Sequence, residues 1–279
     1  MICDNLKICL QGLLAGRAMD LCYRLWNMGI AELSSSAQDY LKVIWDLQEW
    51  DKGPVQPTAV AERTGMKQST VSGALGRLVD AGLVTHRPYG KVELTQTGRR
   101  YAVIMVRRHR LLETFLVQVL GYGWDEVHEE ADSLEHAVSD KMVDRIDDYL
   151  GHPTADPHGD AIPSADGDLP DIPATSLLSE VPIGSKVCIQ RVSDEDSDIL
   201  RYLVRLGLVP GSILRVESRG NKDGIAKFQV SILAPAAAAS SPTELGSNPA
   251  TNLKVQDEDA RDVVDVDLKA ADLIQVSMA

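Results

Sequence analysis

The sequence predicts a mainly α-helical chain with a small β domain at its C-terminal end. Three observations support this prediction. Apolar residues recur at spacings of three and four over most of residues 34–150, which is typical of amphipathic helices. Residues 152–173 contain five prolines, and the sequence beyond residue 177 consists of short apolar runs of strand length. A chain of 279 residues is long enough for two or three domains.

The composition excludes several classes of protein. Cys3, Cys9, Cys22 and Cys188 are too few and too clustered for a disulfide framework, and they include no Cys-x-x-Cys pair for zinc. Hydrophobic residues make up 44% of the chain, but no stretch approaches 20 consecutive apolar residues. We therefore expect a cytoplasmic protein, with residues 1–33 forming an N-terminal extension that is not part of the fold.

Charge is distributed unevenly along the chain. The total of 28 basic and 41 acidic residues gives a net charge of −13. Residues 34–110, however, contain 12 basic and 7 acidic residues, a net of +5, whereas residues 111–150 contain 2 and 11, a net of −9. A basic block therefore lies next to an acidic one, and the acidic total does not exclude nucleic-acid binding by the basic segment.

Residues 34–98 have the pattern of a winged helix-turn-helix. One predicted helix begins near Ser34 and ends before Gly53-Pro54, and a second, Pro57–Gly65, is stopped by its glycine. A third helix starts at Lys67 and is closed by Gly82. Two short β-like runs follow, at 83–85 and 92–95, and predict a hairpin. Together these elements form a winged helix-turn-helix.

The third helix begins with short polar side chains, and basic residues lie on it and on the hairpin. A recognition helix contacts bases with its N-terminal residues, and basic side chains neutralise phosphates. The predicted DNA-binding residues are Gln68, Ser69, Thr70, Ser72, Arg77, Arg87 and Lys91. The alternative is an ordinary helical hairpin, because Ser and Thr are common at any helix start. The local charge of +5 favours DNA binding.

Three further segments follow. We expect a helical domain at 99–151, in two helical stretches broken at Gly121–Gly123, and a linker rich in Pro, Asp and Gly at 152–176. A β domain at 177–279 is interrupted by a disordered loop at about 234–252. Its strand-like runs are 186–192, 213–217, 227–233, 263–268 and 273–276. With one helix ending at Gly207, they fit a small barrel of about five strands.

Histidines and carboxylates recur at helical spacing between residues 109 and 136. His109 and Glu113 are four residues apart and share a helix face. A second group, at steps of four, three and one, comprises His128, Asp132, Glu135 and His136. On one helix this group spans an arc of roughly 100°, and it would be costly to desolvate without a cation. Imidazole and carboxylate suit a divalent first-row metal. The alternative, a solvated acidic face, accounts poorly for the histidines.

Six motifs occur together in a fixed order. They are Asp39-Tyr40-Leu41, Thr70-Val71-Ser72, Asp80-Ala81-Gly82-Leu83-Val84, Leu94-Thr95-Gln96-Thr97-Gly98, Arg108-His109-Arg110-Leu111-Leu112-Glu113 and Val127-His128-Glu129-Glu130-Ala131 with Glu135-His136. As a set they closely resemble the diphtheria-toxin-repressor family of metal-dependent transcriptional regulators. The resemblance is strong over residues 34–150 and looser over 177–233 and 262–277. It implies a winged-helix DNA-binding domain, a helical dimerisation and metal domain, and an SH3-like barrel.

The same resemblance implies two metal sites per subunit. The ancillary site would use His109, Glu113 and His128, together with an acid from the third domain. The nearest match is Asp194, although the run Asp194-Glu195-Asp196 leaves the register open and the partner glutamine of the family falls at Ser197. The primary site would use Asp39, Asp132, Glu135 and His136.

Two positions of the primary site indicate the metal. In iron-responsive members they are a methionine and a cysteine, whereas Asp39 and Asp132 here supply hard oxygen ligands. Because ligand type and geometry decide selectivity, the resemblance implies the manganese-responsive branch, with Fe²⁺ as the alternative effector. Some manganese members have a second acid three residues after the first, where this chain has Lys42.

The resemblance therefore implies a non-enzymatic repressor, loaded with Mn²⁺, that binds operator DNA as a homodimer and controls manganese homeostasis genes. An iron-dependent repressor of the same family is the main alternative. From other classes, a metal-dependent hydrolase could use His109, Glu113 and His128 with an open coordination position, but the basic winged helix would then be unexplained. A metal-buffering scaffold would make Ser69, Thr70 and Ser72 dispensable.

Overall fold

The computed structural model describes residue 30 and residues 33–51, 53–87, 90–222, 225–234 and 263–279. These residues fold into two compact units, divided in sequence between Arg107 and Arg108. Most of the predicted N-terminal extension, and the predicted loop from residue 235 onward, lie outside the described residues. The prediction that the whole extension is outside the fold is wrong for Ile30, which is buried in the core of the first unit and whose carbonyl oxygen accepts from Nε2 of Gln38 (2.9 Å). Within the described part, no helix is both long and apolar enough to cross a membrane.

The first unit contains the predicted helix-turn-helix and its β-hairpin. Its elements are α1 (Ser35–Asp51), α2 (Pro57–Thr64), α3 (Gln68–Asp80), β1 (Val84–His86), β2 (Val92–Leu94) and the first part of α4 (Gln96–Leu120). The two strands are antiparallel, with Val84 opposite Leu94. Their side chains and those of the helices share one apolar core.

Glycines in the left-handed region end the two helices of the helix-turn-helix. Gly65 (φ +64°) caps α2 and Gly82 (φ +69°) follows α3, which are conformations that glycine adopts without strain. Between these ends, α3 buries Val71 and Leu75, and Val60 of α2 is buried in the same core. Because one face of α3 is committed to this core, its polar N-terminal residues remain exposed.

The start of α4 is joined closely to the segment that follows α3. The Thr95 hydroxyl donates to the carbonyl of Gly82 (2.8 Å) and accepts from the backbone N–H of Gly98 (3.0 Å). A Cβ at Gly98 would lie 1.9 Å from the carbonyl oxygen of Leu83. The motif from Leu94 to Gly98 therefore has a structural cause, since only glycine allows α4 to approach the turn this closely.

Replacing Gly98 with alanine should destabilise the first unit. The added methyl group meets backbone atoms, so relief requires movement of the chain, and overpacking of this kind costs about 1–3 kcal/mol or more. Urea unfolding would measure the loss. Gly76→Ala is the matched control, because a Cβ at Gly76 on α3 would have no neighbour within 4 Å in the described part of the chain. Helix propensity should make this variant neutral to stabilising by about 1 kcal/mol. Equal stabilities of the two variants would contradict this account.

The helical part of the second unit differs from the prediction. After α4 the chain forms α5 (Val127–Leu134) and α6 (Asp140–Leu150), where the sequence suggested one continuous stretch. The Ser139 hydroxyl accepts from the backbone N–H of Met142 and caps α6. Consequently Glu135 caps the end of α5 and His136 lies in the following turn. The prediction that His128, Asp132, Glu135 and His136 share one face of a single helix is therefore wrong for Glu135 and His136.

The C-terminal part of the second unit is an SH3-like β domain. Its elements are β3 (Ser176–Leu177), β4 (Lys186–Val192), α7 (Ser197–Leu206), β5 (Ile213–Lys222), β6 (Ile225–Ala234), β7 (Val263–Asp267), α8 (Leu268–Ala271) and β8 (Ile274–Met278). The antiparallel sheet has the order β3-β8-β4-β5-β6-β7. It has six strands among the described residues rather than about five, because the two residues of β3 are too few to give a sequence pattern.

Part of the predicted linker is packed rather than extended. Ala155 and Ala161 form an antiparallel bridge, and the residues between them make a tight turn, which we call the buried turn (residues 155–161). Asp156, His158 and Asp160 are all buried within it. The prolines and aspartates that predicted a linker therefore belong, in this stretch, to an ordered turn.

Candidate metal centre

Three elements of the second unit bring imidazoles and carboxylates together. His109 and Glu113 lie one turn apart on α4 and are 5% and 1% exposed. His128 lies on α5, and Asp194 follows the end of β4. We call these four residues the ancillary cluster. The resemblance implied all four as ligands of one site, and the structure brings their side chains together.

The polar atoms of the ancillary cluster are in direct contact. The Glu113 Oε1 lies 3.0 Å from Nε2 of His109 and 3.2 Å from Nδ1 of His128. Nδ1 of His128 is also 2.9 Å from Oδ2 of Asp194. One ligand atom from each of the four residues lies within 4.8 Å of the others. Two imidazoles and two carboxylates in this arrangement match the donor set of a divalent first-row metal.

The electrostatics of the cluster favour a positive charge. Burial lowers the pKa of His128, but the Asp194 carboxylate and the hydrogen bonds to Asp194 and Glu113 outweigh it and raise the pKa to about 10. For Glu113 the signs are reversed: burial raises the pKa of its carboxyl group, but the neighbouring histidines, His109 first, hold that pKa well below its usual range. The carboxylates thus stabilise a cation at their centre, so the residues present fit a bound metal ion.

The structure resolves the register of the acidic run after β4. The Asp196 carboxylate accepts from the backbone N–H groups of Asp198 (3.1 Å) and Ile199 (3.2 Å) and so caps α7. It also lies 2.9 Å from Nζ of Lys269. With Asp196 used as a helix cap, Asp194 is the acid of this run that contacts His128.

His109 connects the ancillary cluster to residues predicted for the second site. Its Nδ1 lies 2.7 Å from Oε2 of Glu135 and 3.3 Å from Oδ1 of Asp132. Nε2 of His136 is 3.6 Å from Oε1 of Glu135. These three predicted ligands therefore lie next to the ancillary cluster. Asp39 lies on α1 of the first unit, and its part in a metal site stays a prediction of the resemblance.

Sequence reasoning missed one histidine beside the cluster. Nδ1 of His158, in the buried turn, is 3.9 Å from Oε2 of Glu113. Burial lowers the pKa of His158, but the carboxylates of Glu113, Asp156 and Asp194 raise it further, and the net shift is upward. The Pro157-His158-Gly159 sequence reads as a turn, so its pattern gave no indication of a buried ionisable group.

The predicted DNA-binding residues all lie on the exposed side of the first unit. Those on α3 and on the hairpin are Gln68, Ser69, Thr70, Ser72, Arg77, Arg87 and Lys91, and each is exposed. The two residues at the centre of the predicted basic hairpin loop, Pro88 and Tyr89, lie outside the described residues. Their neighbours nevertheless give this face the polar and basic side chains that contact with DNA requires.

Three known protein families match successive parts of the chain. The family described as iron dependent repressor, N-terminal DNA binding domain, matches residues 32–92. The family described as iron dependent repressor, metal binding and dimerisation domain, matches residues 95–164 and so includes the buried turn. The FeoA domain matches residues 177–233. A DNA-binding domain followed by a dimerisation domain makes DNA and a second copy of the chain its partners.

Individual proteins agree with this assignment. The iron-dependent repressor IdeR of Mycobacterium leprae is 35% identical over 199 residues, which cover 67% of this chain and 86% of that protein. A solved manganese-dependent transcriptional repressor in complex with manganese is 42% identical with a TM-score of 0.73, over 87% of this chain and 100% of the other. The manganese regulator SloR is 28% identical with a TM-score of 0.65, over 87% and 99%. This chain therefore belongs to the diphtheria-toxin-repressor family of metal-dependent transcriptional repressors.

Proposed function

We propose that this chain is a manganese-responsive repressor that binds a palindromic operator as a homodimer and controls genes of manganese homeostasis. The observation that carries the proposal is the donor set. All eight proposed ligands, Asp39, Asp132, Glu135, His136, His109, Glu113, His128 and Asp194, are carboxylates or imidazoles. Asp39 and Asp132 replace the sulfur ligands of iron-responsive members, and hard oxygen donors suit Mn²⁺. The relatives include proteins named for iron and proteins named for manganese, so the choice of metal rests on these residues.

In this proposal two sites in each subunit hold metal. His109, Glu113, His128 and Asp194 form the ancillary site. The primary site follows the resemblance and combines Asp39 of the DNA-binding domain with Asp132, Glu135 and His136 of the dimerisation domain. Ligands from two domains that share one ion favour a single domain arrangement, and this differential binding is what couples metal to DNA affinity. Two reading heads in a C2 dimer then match a palindromic site.

Anaerobic titration of DNA binding with Mn²⁺, Fe²⁺ and Zn²⁺ at fixed salt tests the proposal. The DNA would be the promoter region of the chain's own gene or of a neighbouring metal-transporter gene. We expect binding to tighten at a lower free concentration of Mn²⁺ than of Fe²⁺. Activation by Fe²⁺ alone would assign the chain to iron control. DNA binding that does not depend on any metal would contradict the whole proposal.

A change in the recognition helix should weaken binding to the operator in particular. If Thr70 contacts a base edge, Thr70→Ala should cost about 1–3 kcal/mol on the operator and leave binding to random DNA nearly unchanged. Arg87→Ala should instead weaken binding to both DNAs and reduce the salt dependence by about one counterion. Fluorescence anisotropy at several salt concentrations separates these effects. Thr154→Ala, an exposed threonine in the second unit, is the matched control. Equal losses on both DNAs for Thr70→Ala would exclude base contact.

A further inference from the structure

The buried turn (residues 155–161) is held by an internal hydrogen-bond network. Oδ1 of Asp156 accepts from the backbone N–H groups of His158 (2.8 Å) and Asp160 (2.9 Å). Gly159 adopts φ +89°, and a Cβ there would lie 2.0 Å from the carbonyl oxygen of Gln190. Because the turn is packed this closely, the backbone that carries His158 is held in place.

The His158 ring is held by two contacts with Trp124. Its Nε2 donates to the carbonyl oxygen of Trp124 (2.7 Å), and the two rings are stacked with centroids 5.5 Å apart. The side chain is fully buried. Its remaining nitrogen, Nδ1, has no hydrogen-bond partner among the residues that the structure describes and faces Oε2 of Glu113 at 3.9 Å. A buried ring that is held on one nitrogen and faces a proposed ligand with the other is well placed to orient that ligand.

The two oxygens of Glu113 have different neighbours. Oε1 contacts His109 and His128 within the ancillary cluster, whereas Oε2 faces His158. Rotation of the carboxylate about its terminal bond would exchange these roles. His158 thus faces Oε2 from outside the cluster, in the place that outer-shell partners take beside the ligands of other metal sites.

The buried turn also contacts the strand that leads to the second carboxylate of the cluster. The carbonyl oxygen of His158 accepts from the backbone N–H of Val192, the last residue of β4 (2.9 Å). Asp160 forms an ion pair with Arg191. Asp194 follows two residues after Val192, so one turn supports the elements that carry both Glu113 and Asp194.

The acids of the turn are already engaged, which argues against a separate metal site there. Oδ1 of Asp156 accepts two backbone hydrogen bonds, and its Oδ2 lies 3.8 Å from Nε of Arg110. Nη1 of Arg110 also donates to the carbonyl oxygen of Ala161 (2.5 Å). A guanidinium at this position opposes a second cation, and the contacts instead tie the turn to α4, the helix of His109 and Glu113.

We propose that the buried turn is a positioning element of the ancillary metal site and that His158 is the positioning residue for Glu113. The proposal rests on the ancillary site proposed above. It assigns a role in metal affinity to a segment that contributes no ligand. It also predicts that His158 affects the coordination geometry of the bound ion and not only the stability of the fold.

The test uses the full-length chain carrying His136→Ala, which removes a proposed primary ligand outside the ancillary cluster. Mn²⁺ affinity is measured from the signal of the free ion in electron paramagnetic resonance, and the environment of Co²⁺ from its visible absorption. His158→Phe retains a ring against Trp124 but removes both nitrogens. We expect it to weaken Mn²⁺ binding about 10–100-fold and to shift the Co²⁺ bands. His158→Gln can reach either the Trp124 carbonyl or Glu113, but not both. Its Mn²⁺ affinity should lie between those of His158→Phe and the parent.

His152→Asn is the matched control. His152 is an exposed histidine six residues earlier, and its φ of +58° is a conformation that Asn tolerates. The control should bind both ions like the parent. Parent-like affinity and spectrum in His158→Phe would overturn the inference and leave the ancillary site intact. If His158→Phe fails to fold, parent-like binding by His158→Gln overturns it instead. If the His136→Ala parent binds Mn²⁺ no more tightly than the same chain with Glu113→Gln added, the ancillary site itself is overturned.

Discussion

Replacing Asp132 with alanine is expected to abolish the increase in operator affinity that Mn²⁺ produces in the wild-type chain. Asp132 is a proposed oxygen ligand, is partly exposed on α5, and lies 3.3 Å from Nδ1 of His109. An allosteric coupling of about 1–3 kcal/mol corresponds to roughly 5–150-fold in affinity, and this is the size of the expected loss. The variant should still fold and dimerise. A gel shift at fixed ionic strength with increasing Mn²⁺ measures the response.

Two further variants identify the cause of that loss. Glu129→Ala removes the same charge from an exposed position on the same helix and should retain the Mn²⁺ response. His136, which contacts Glu135, is a different proposed ligand of the primary site. His136→Ala should therefore lose the Mn²⁺ response. If His136→Ala responds normally while Asp132→Ala does not, Asp132 acts through His109 and the proposed primary site is wrong. A normal response in Asp132→Ala contradicts its assignment as a ligand.

The architecture of the first unit could be predicted because its signals are local. Gly65 and Gly82 end helices through their own backbone conformations, and the apolar spacing of α3 determines which face is buried. The predicted DNA-binding side chains follow from that choice of face. The tight approach at Gly98 could not be predicted in the same way, because its cause is the carbonyl of Leu83, fifteen residues earlier.

The placement of the candidate metal-binding side chains could be predicted where they share one helix, but not where a helix ends between them. His109 and Glu113 lie one turn apart on α4, as expected, and His128 and Asp132 lie one turn apart on α5. Glu135 and His136 fall after the end of α5. The spacing of the ligands gave no sign of that end, although Ser139, four residues after Glu135, caps the next helix. Glu135 nevertheless lies 2.7 Å from His109, because it keeps a helical backbone conformation and its N–H donates to the carbonyl oxygen of Ala131.

Contacts that depend on distant segments could not be read from spacing. The choice between Asp194 and Asp196 depends on the latter capping α7, which becomes clear only when the start of the helix is known. His158 reaches Glu113 from 45 positions further along the chain, within a segment whose prolines predict a linker. The physical reason is common to both cases: packing in three dimensions, rather than local periodicity, places these groups.

Mn²⁺ should stabilise the second unit through Glu113. In a chain carrying His136→Ala, the ancillary cluster is the one proposed site that keeps all of its ligands. At about 100 times its dissociation constant, a ligand bound only by the folded state raises the free energy of unfolding by about 2.7 kcal/mol. Adding Glu113→Gln, which keeps the size of the side chain but removes its charge, should eliminate this increment. Calorimetric unfolding with and without Mn²⁺ measures it.

The metal-free state provides an independent test of the same carboxylate. The pKa of Glu113 is lowered in the folded chain, chiefly because the attraction of His109 and the other histidines outweighs its burial, so its ionised form contributes stability above its unfolded pKa and loses it as the pH falls. Glu113→Gln should therefore be less stable than the parent at neutral pH even without metal. Glu130→Gln on α5 is the matched control and should change neither quantity. If Glu113→Gln were destabilised without metal but kept the full Mn²⁺ increment, Glu113 would support the fold without binding the ion, because the two effects arise from different interactions of one side chain.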